Sequence, residues 1–400
     1  MTSTGRGMID FARQFMPALS AATESVASKD CLRGRRVGIA LTLEPKTACL
    51  VEAVASLGAK VAVFGSGHST KGVVAAALAD SGIQVFAEEG ADRDRVSELR
   101  EAFIDTRPEY LSDDGAIIVR HIHSDRRDVL GELRGVAEET TSGVRPLRLM
   151  QAEGALMVPC IAVNDARVKL LFDNVYGTGQ SVVMAVLDAT NMQMSGSAVV
   201  VVGYGMVGRG IASVARGLGA RVTVTEIDAV EALAAHHDGF RVRPLAEAVT
   251  VADFVITATG IGHTLTAEHV AMMRDGAVVA VGGAGPPEFD PSIGPAVEWG
   301  PEVRPKVRSL STESGATVYV VADGYCANTS AGEGNPIEVM DLSLALQLRA
   351  LDFLAGGELG PGVHLLPRHI EDEVAASQLA AAGIEIDLPT EAQIRAAITW

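Results

Sequence analysis

The stretch Val199-Val200-Val201-Val202-Gly203-Tyr204-Gly205-Met206-Val207-Gly208 decides the fold. Four consecutive β-branched residues, apolar on both faces, suit a strand in the middle of a parallel sheet. Gly203, Gly205 and Gly208 follow at once in G-x-G-x-x-G spacing, and a helical pattern runs on from Arg209 to Gly217. In that setting the first glycine permits a tight turn, the second lets the backbone approach a pyrophosphate, and the third lets helix and strand pack closely. Met206 and Val207 then lie at a helix start that faces the anion. Glu226 ends the next strand, where a carboxylate accepts from an adenosine ribose and repels a 2′-phosphate, so NAD rather than NADP is expected.

Working outward, strands are expected at Arg221 to Thr225, Phe254 to Ala258, Ala277 to Val281 and Thr317 to Val321, and the Pro- and Gly-rich zone from Gly282 to Pro305 reads as loop. Upstream, strand-like runs Val37 to Leu43, Val61 to Phe64 and Ile83 to Phe86 alternate with helical patterns Thr47 to Leu57 and Gly72 to Asp80. Gly115 to Val119 reads as a further strand, and Ser124 to Arg134, Gln180 to Ser195 and Glu338 to Phe353 as helices. The fold class is α/β, with two doubly wound Rossmann-like domains. Residues 1–165 form the first part of a discontinuous substrate domain, 180–335 an inserted NAD-binding domain, and 337–400 the return.

Composition narrows the function. With 48% hydrophobic and 21% charged residues among 400, the chain can bury a large core. Fifty acidic against 33 basic residues, a net charge of −17, repel phosphate backbones, so neither nucleic acid nor a membrane surface is an expected partner. Cys31, Cys49, Cys160 and Cys326 are scattered without a CxxC pair, which indicates neither a disulfide framework nor a thiolate metal site, and fits reduced thiols in the cytoplasm. Arg6, Asp10 and Arg13 interrupt the N-terminal apolar residues, so no secretory signal is expected there.

Lys169 and Asp173 stand four apart in Asn164-Asp165-Ala166-Arg167-Val168-Lys169-Leu170-Leu171-Phe172-Asp173-Asn174, one helical turn on one face. Spacing alone leaves two readings: a surface ion pair, or a lysine and carboxylate that hold a substrate hydroxyl and manage its proton.

That stretch, with Asp113-Asp114-Gly115, Glu138-Glu139-Thr140-Thr141-Ser142-Gly143-Val144, Gly203 to Gly208 and Gly362-Val363-His364-Leu365-Leu366-Pro367, resembles the S-adenosyl-L-homocysteine hydrolase family over nearly the whole chain. Leu43-Glu44-Pro45-Lys46-Thr47 and a short C-terminus look like its archaeal and thermophile branch, which lacks a long C-terminal arm. The resemblance implies tightly held NAD and a redox-neutral cycle: oxidation of a ribose 3′-hydroxyl, removal of the acidified 4′ proton, loss of the 5′ substituent, addition of water and reduction of the ketone. It implies that Lys169 and Asp173 serve 3′-oxidation, and that Asp114 and Glu139 contact ribose or act on its protons. Thr42, Lys46, Thr47, Asn335 and His364 would line the substrate. Asn174 would lie near the nicotinamide, and Thr140, Thr141, Ser142, Thr259 and Asn328 would contact NAD. A dimer or tetramer is expected, with one of the usual contacts removed by the short tail.

The chain also departs from the family. Thr42 stands where the hydrolases have a histidine thought to act at the 5′ leaving group; Val281-Gly282-Gly283-Ala284-Gly285-Pro286 replaces an Asn-x-Gly-His-Phe stretch; Gly334-Asn335-Pro336 replaces Gly-His-Pro; and Ile117 replaces a frequent acidic residue. Imidazoles that titrate near pH 7 are hard to replace in proton transfer. The losses touch leaving-group handling and gating, while the parts for NAD and 3′-oxidation remain. The expectation is therefore a nucleoside dehydratase, eliminating water from C5′ in natural-product tailoring. Glu44, two residues from Thr42 on a strand end, is the candidate acid, with a ribose-binding role equally open, and His68 and His123 rank below it. Lys46 can only donate, which suits a 6-oxo purine unless it points away. The alternatives are a genuine hydrolase of S-adenosyl- or S-inosyl-homocysteine, a 3′/4′-epimerase, and a non-catalytic NAD-sensing module.

Overall fold

In the computed structural model, which describes residues 2–283, 287–313 and 315–398, the valine run forms the strand Ala198–Val202. Parallel strands flank it on both sides, Arg221–Thr225 and Phe254–Thr257. The sheet continues through Val278–Val281 and Thr317–Val321, ends in the antiparallel hairpin of Val307–Thr312 and Val297–Arg304, and is closed at its other edge by Arg241–Val242. The hairpin's outer strand lies within the zone expected to be loop. Gly300 and Pro301 concealed it: pairing shifts register between Trp299 and Glu302, and an edge strand tolerates both residues.

The other large sheet has seven parallel strands, in the spatial order Gly362–His364, Pro159–Ala162, Gly135–Glu138, Tyr110–Asp113, Arg36–Ala40, Lys60–Phe64, Gln84–Phe86. The chain leaves this sheet after Ala162, builds the first, and returns through the helix Ile337–Gly356 to add Gly362–His364. One domain is thus inserted in the other. Alternate residues of each strand enter opposite cores: Val37, Ile39, Val61 and Val63 one, Ala62, Phe64, Leu111 and Val136 the other.

Two local expectations fail. The strand is Tyr110–Asp113, not 115–119, because the apolar residues after Gly115 belong to the helix Ile117–Ser124. Asp113 starts that helix by accepting from the N–H groups of Ile118, at 3.0 Å, and Val119, at 2.8 Å. Between 124 and 134 only Arg127–Leu130 is an α-helix, before the strand Gly135–Glu138. Short apolar runs do not tell helix from strand by periodicity alone.

The crossing between sheets is a π-helix, Leu170–Thr178, set between the α-helical Arg167–Lys169 and Gly179–Thr190. The helix Met206–Gly217 meets it main chain to main chain. A Cβ on Gly210 would fall 2.1 Å from the Val175 carbonyl oxygen, and one on Gly179 would fall 2.6 Å from Gly210 Cα.

Candidate active site

Doubly wound sheets bind ligands beyond the carboxyl ends of their strands, where strand order reverses. In the sheet around Ala198–Val202 that place holds the glycine loop. Gly203 has φ +96°, the left-handed region that glycine supplies, and a Cβ on Gly208 would lie 2.0 Å from the Gly203 carbonyl oxygen. A Cβ on Gly205 would meet nothing within 4 Å, so space is open where a pyrophosphate must approach. The helix Met206–Gly217 has no side-chain cap, leaving its first N–H groups to an anion. Glu226 accepts from Tyr204 N at 2.6 Å and from the N–H groups of Ile227 and Asp228, bracing the loop from the end of the next strand. These residues fit NAD. Thr259 has its N–H and hydroxyl on Glu288, both at 2.8 Å, with Gly260 N at 3.0 Å. Glu288 is buried and was not foreseen; a lone glutamate in a Pro-rich stretch gave no signal.

In the seven-stranded sheet the same rule points to the ends of Arg36–Ala40, Tyr110–Asp113 and Gly135–Glu138. Thr42 and Glu44 follow the first, Asp114 the second and Glu139 the third. The π-helix brings Lys169 against them, since its i→i+5 turn places Lys169 and Asn174, and Asp173 and Thr178, on one face. Lys169 Nζ donates to Asn174 Oδ1 at 3.0 Å and lies 3.5 Å from Asp173 Oδ2. All three are buried, which removes the surface-pair reading. Asp173 also accepts from Asn335 Nδ2 at 2.8 Å and Ser343 Oγ at 2.7 Å.

Burial alone would depress Lys169, but Asp173, Glu139 and Asp114 outweigh it and hold the ammonium above its ordinary range. Burial pushes Glu139 up to about 8, against the pull of Lys169. Asp114 is raised too, by burial, with the Thr140 hydroxyl and Lys169 opposing. Glu139 accepts from Gln347 Nε2 on Oε2, while its Oε1 has no partner among the described residues. Neither Ser343 nor Gln347 was foreseen. The available signal was polar residues, four apart, within an apolar helix whose burial they share.

Asn335 joins the segments at the crossing between the two sheets. Besides Asp173 it donates to Thr178 Oγ1 at 3.1 Å and accepts from Ser181 Oγ at 2.8 Å and Asn328 Nδ2 at 3.0 Å. Asn328, expected to contact NAD, is thus tied to this web. Glu44 caps the helix Pro45–Ser56 through Lys46 N at 3.1 Å and pairs with Lys46 Nζ at 2.8 Å; Lys46 Nζ also donates to Glu333 O at 3.0 Å. Both side chains therefore have structural occupations, leaving Lys46 one further hydrogen to donate. Thr42 is half-buried and Thr47 buried beside them.

Thr140 Oγ1 donates to Glu138 Oε1 at 2.8 Å and meets Ser142 Oγ at 3.0 Å, and Thr141 donates to Asn164 Oδ1 at 3.1 Å. From the same helix Arg145 donates to Gly260 O at 3.2 Å, across to the other sheet's loops. His364 lies on the edge strand with its ring on Gly360 O at 2.8 Å, and no hydrogen bond among the described residues joins it to the Lys169 group. His123 is satisfied by Val119 O at 2.7 Å and Met157 N at 3.1 Å, which leaves it no proton role at the site. His68 stacks on Tyr325, ring centroids 4.3 Å apart, and burial and Lys306 lower its pKa. The replaced gate stretch runs into residues 284–286, outside the described residues.

Fold and site together define an NAD-dependent enzyme with a buried lysine–carboxylate centre between two Rossmann-like domains. Residues 1–129 match the family described as S-adenosyl-L-homocysteine hydrolase, and 174–334 that described as its NAD binding domain. An adenosylhomocysteinase of Thermotoga maritima is 43% identical over 100% of both chains. An S-inosyl-L-homocysteine hydrolase of Methanopyrus kandleri is 42% identical, covering 99% of this chain and 95% of its own, and an adenosylhomocysteinase of Thermococcus kodakarensis 40%, covering 100% and 96%. The chain belongs to the S-adenosyl-L-homocysteine hydrolase family, and its cofactor is NAD. Membership in a family of enzymes sets aside the NAD-sensing module.

Proposed function

We propose that the protein cleaves the 5′ thioether of an S-nucleosyl-homocysteine, with adenine or hypoxanthine as base, through transient 3′-oxidation. The observation that carries this is the buried Lys169–Asp173–Asn174 array facing the carboxyls of Asp114 and Glu139. Bound NAD supplies reversible removal of hydride from ribose C3′. Lys169 donates to the 3′ oxygen, Asp173 and Asn174 fix its ammonium, and Asp114 and Glu139 attend the hydrogen on C4′. Thr42 offers no imidazole to the leaving group. A thiol, with a pKa of about 8.5, departs as its anion far more readily than water, about 15.7, so the missing acid handicaps hydroxide loss more than thiolate loss. That corrects the inference from the lost histidines alone, and the names of the relatives support the same side.

Dehydration of a 5′-hydroxyl is the second reading. Glu139 favours it: burial raises its pKa to about 8, so a proton taken from C4′ onto its unpartnered Oε1 is held well enough to be given to departing hydroxide. The proposal extends to a homo-oligomer, dimer or tetramer, in a reducing cytoplasm. The helix Glu391–Ile398 buries none of its residues against its own chain, and the four cysteines are free.

Mass spectrometry after incubation with NAD and S-adenosylhomocysteine, S-inosylhomocysteine, adenosine or inosine in heavy water tests this. Homocysteine release is the expected result. Loss of water without thioether cleavage establishes the dehydratase instead, deuterium in the sugar without mass loss points to epimerisation, and no change in any nucleoside overturns both readings.

A further inference from the structure

We propose that Gln347 and Ser112 are positioning residues that fix Glu139 so that its Oε1 alone faces ribose C4′ and exchanges the proton there. The inference rests on the 3′-oxidation reading, whichever 5′ group leaves.

Ser112 lies on the strand Tyr110–Asp113, fully buried, and its hydroxyl donates to Gln347 Oε1 at 2.9 Å. A hydroxyl donor on that oxygen turns the amide, so Nε2 points the other way, onto Glu139 Oε2. Gln347 is also fully buried, one turn beyond Ser343, whose own hydroxyl holds Asp173. One face of the helix Ile337–Gly356 therefore supports both halves of the site, Ser343 the lysine pair and Gln347 the carboxyl. With Oε2 held, the rotation of the Glu139 carboxyl is set, and Oε1 is the oxygen left without a partner. A buried orphan oxygen is costly unless a ligand completes it.

The charged groups that face Glu139 are Lys169 and Asp173 from the π-helix crossing and Asp114 from the neighbouring strand end. Lys169 favours the carboxylate, Asp173 and Asp114 oppose it, and the Gln347 amide favours it. In the step itself the C4′–H bond breaks, an O–H bond forms at Glu139 Oε1, and the electron pair stays on C4′, stabilised by the 3′-ketone until the 5′ group departs with its own bonding pair. A reversed amide would present Oε1 of Gln347 to Glu139 and could be satisfied only by the protonated carboxyl, removing the base.

The test compares two partial reactions of the NAD-loaded protein: absorbance of reduced nicotinamide on adding substrate, which reports 3′-oxidation, and deuterium entry at C4′. In Gln347→Met, C4′ exchange is expected to fall about 10- to 100-fold, within what one acid–base group contributes, while 3′-oxidation changes less than about threefold. The pH limb of exchange moves upward, because a donor to the carboxylate is lost. Ser112→Ala shifts both in the same direction by less, and Ser112→Thr restores them. In cofactor-free protein, the infrared carboxyl band of Glu139, identified by its loss in Glu139→Gln, titrates at higher pH in Gln347→Met. A parallel fall in oxidation and exchange, or an unshifted limb and band, overturns the proposal. Wild-type protein showing neither oxidation nor exchange overturns the functional reading instead.

Discussion

Lys169 carries the charge balance of the site. Lys169→Met leaves Asp173, Asp114 and Glu139 without their cation, and breaking a buried pair from one side costs about 3–5 kcal/mol; urea unfolding of cofactor-free protein should show that loss, with 3′-oxidation abolished. Glu139 gives a pH signature. Its ordinary pKa is 4.5 and burial raises it to about 8, so between those values the folded protein keeps a proton that the unfolded chain has released. Stability from this group is therefore complete at low pH and is lost as pH rises through that window. Glu139→Gln should flatten the fall in unfolding free energy between about pH 5 and pH 8, measured by denaturant titration; an unchanged slope would remove Glu139 from this account. The lysine pair could be read in the sequence because both residues sit one turn apart. Gln347, Ser343 and Asn335 could not, because their partners lie in distant segments that only folding brings together.

At the level of elements, the glycine loop offers a clean separation of binding from stability. Gly205 has φ −65° and open space beyond its Cα, so Gly205→Ala should fold with unchanged thermal stability in the absence of cofactor, yet hold NAD more weakly in a fluorescence titration. Gly208→Ala should unfold at lower temperature even without cofactor, since its Cβ meets backbone that cannot give way and overpacking costs about 1–3 kcal/mol. Equal losses in both variants would contradict the geometry. The strands around this loop were plain from their apolar runs and turn residues. The π-helix was not, because the apolar spacing of residues 170–178 does not distinguish i→i+5 from i→i+4 pairing, and the helical reading placed Lys169 opposite Asp173 alone rather than Asn174 as well.

Across the whole molecule, Glu333 joins the two domains. Its carbonyl accepts from Lys46 and its carboxylate pairs with Lys71 at 2.7 Å. The carboxylate is exposed, so Glu333→Ala should cost under about 1 kcal/mol of stability. It should nevertheless raise KM more than it lowers kcat and widen the solution scattering profile, because one tie across the cleft is gone; an unchanged profile with unchanged KM would assign the pair no part in closure. The insertion of one domain in the other was legible from the helical pattern Glu338 to Phe353, which follows the strand Thr317 to Val321 and returns the chain to the first domain. The chemistry at the crossing was not, since Asn335 replaces a residue the resemblance assigns to substrate and here ties the π-helix to the helices Gly179–Thr190 and Ala327–Ser330.

The contact of Gly210 with Val175 and Gly179 joins the cofactor helix to the lysine-bearing segment through main chain alone. Side chains on either element can change without altering how far apart the two stand, so the spacing between the cofactor helix and the lysine-bearing segment is a fixed ruler. The end proposed for the leaving group, at the side chains of Thr42, Glu44 and Lys46, has no such ruler, and on that proposal it is the end at which this chain is free to acquire a different substrate.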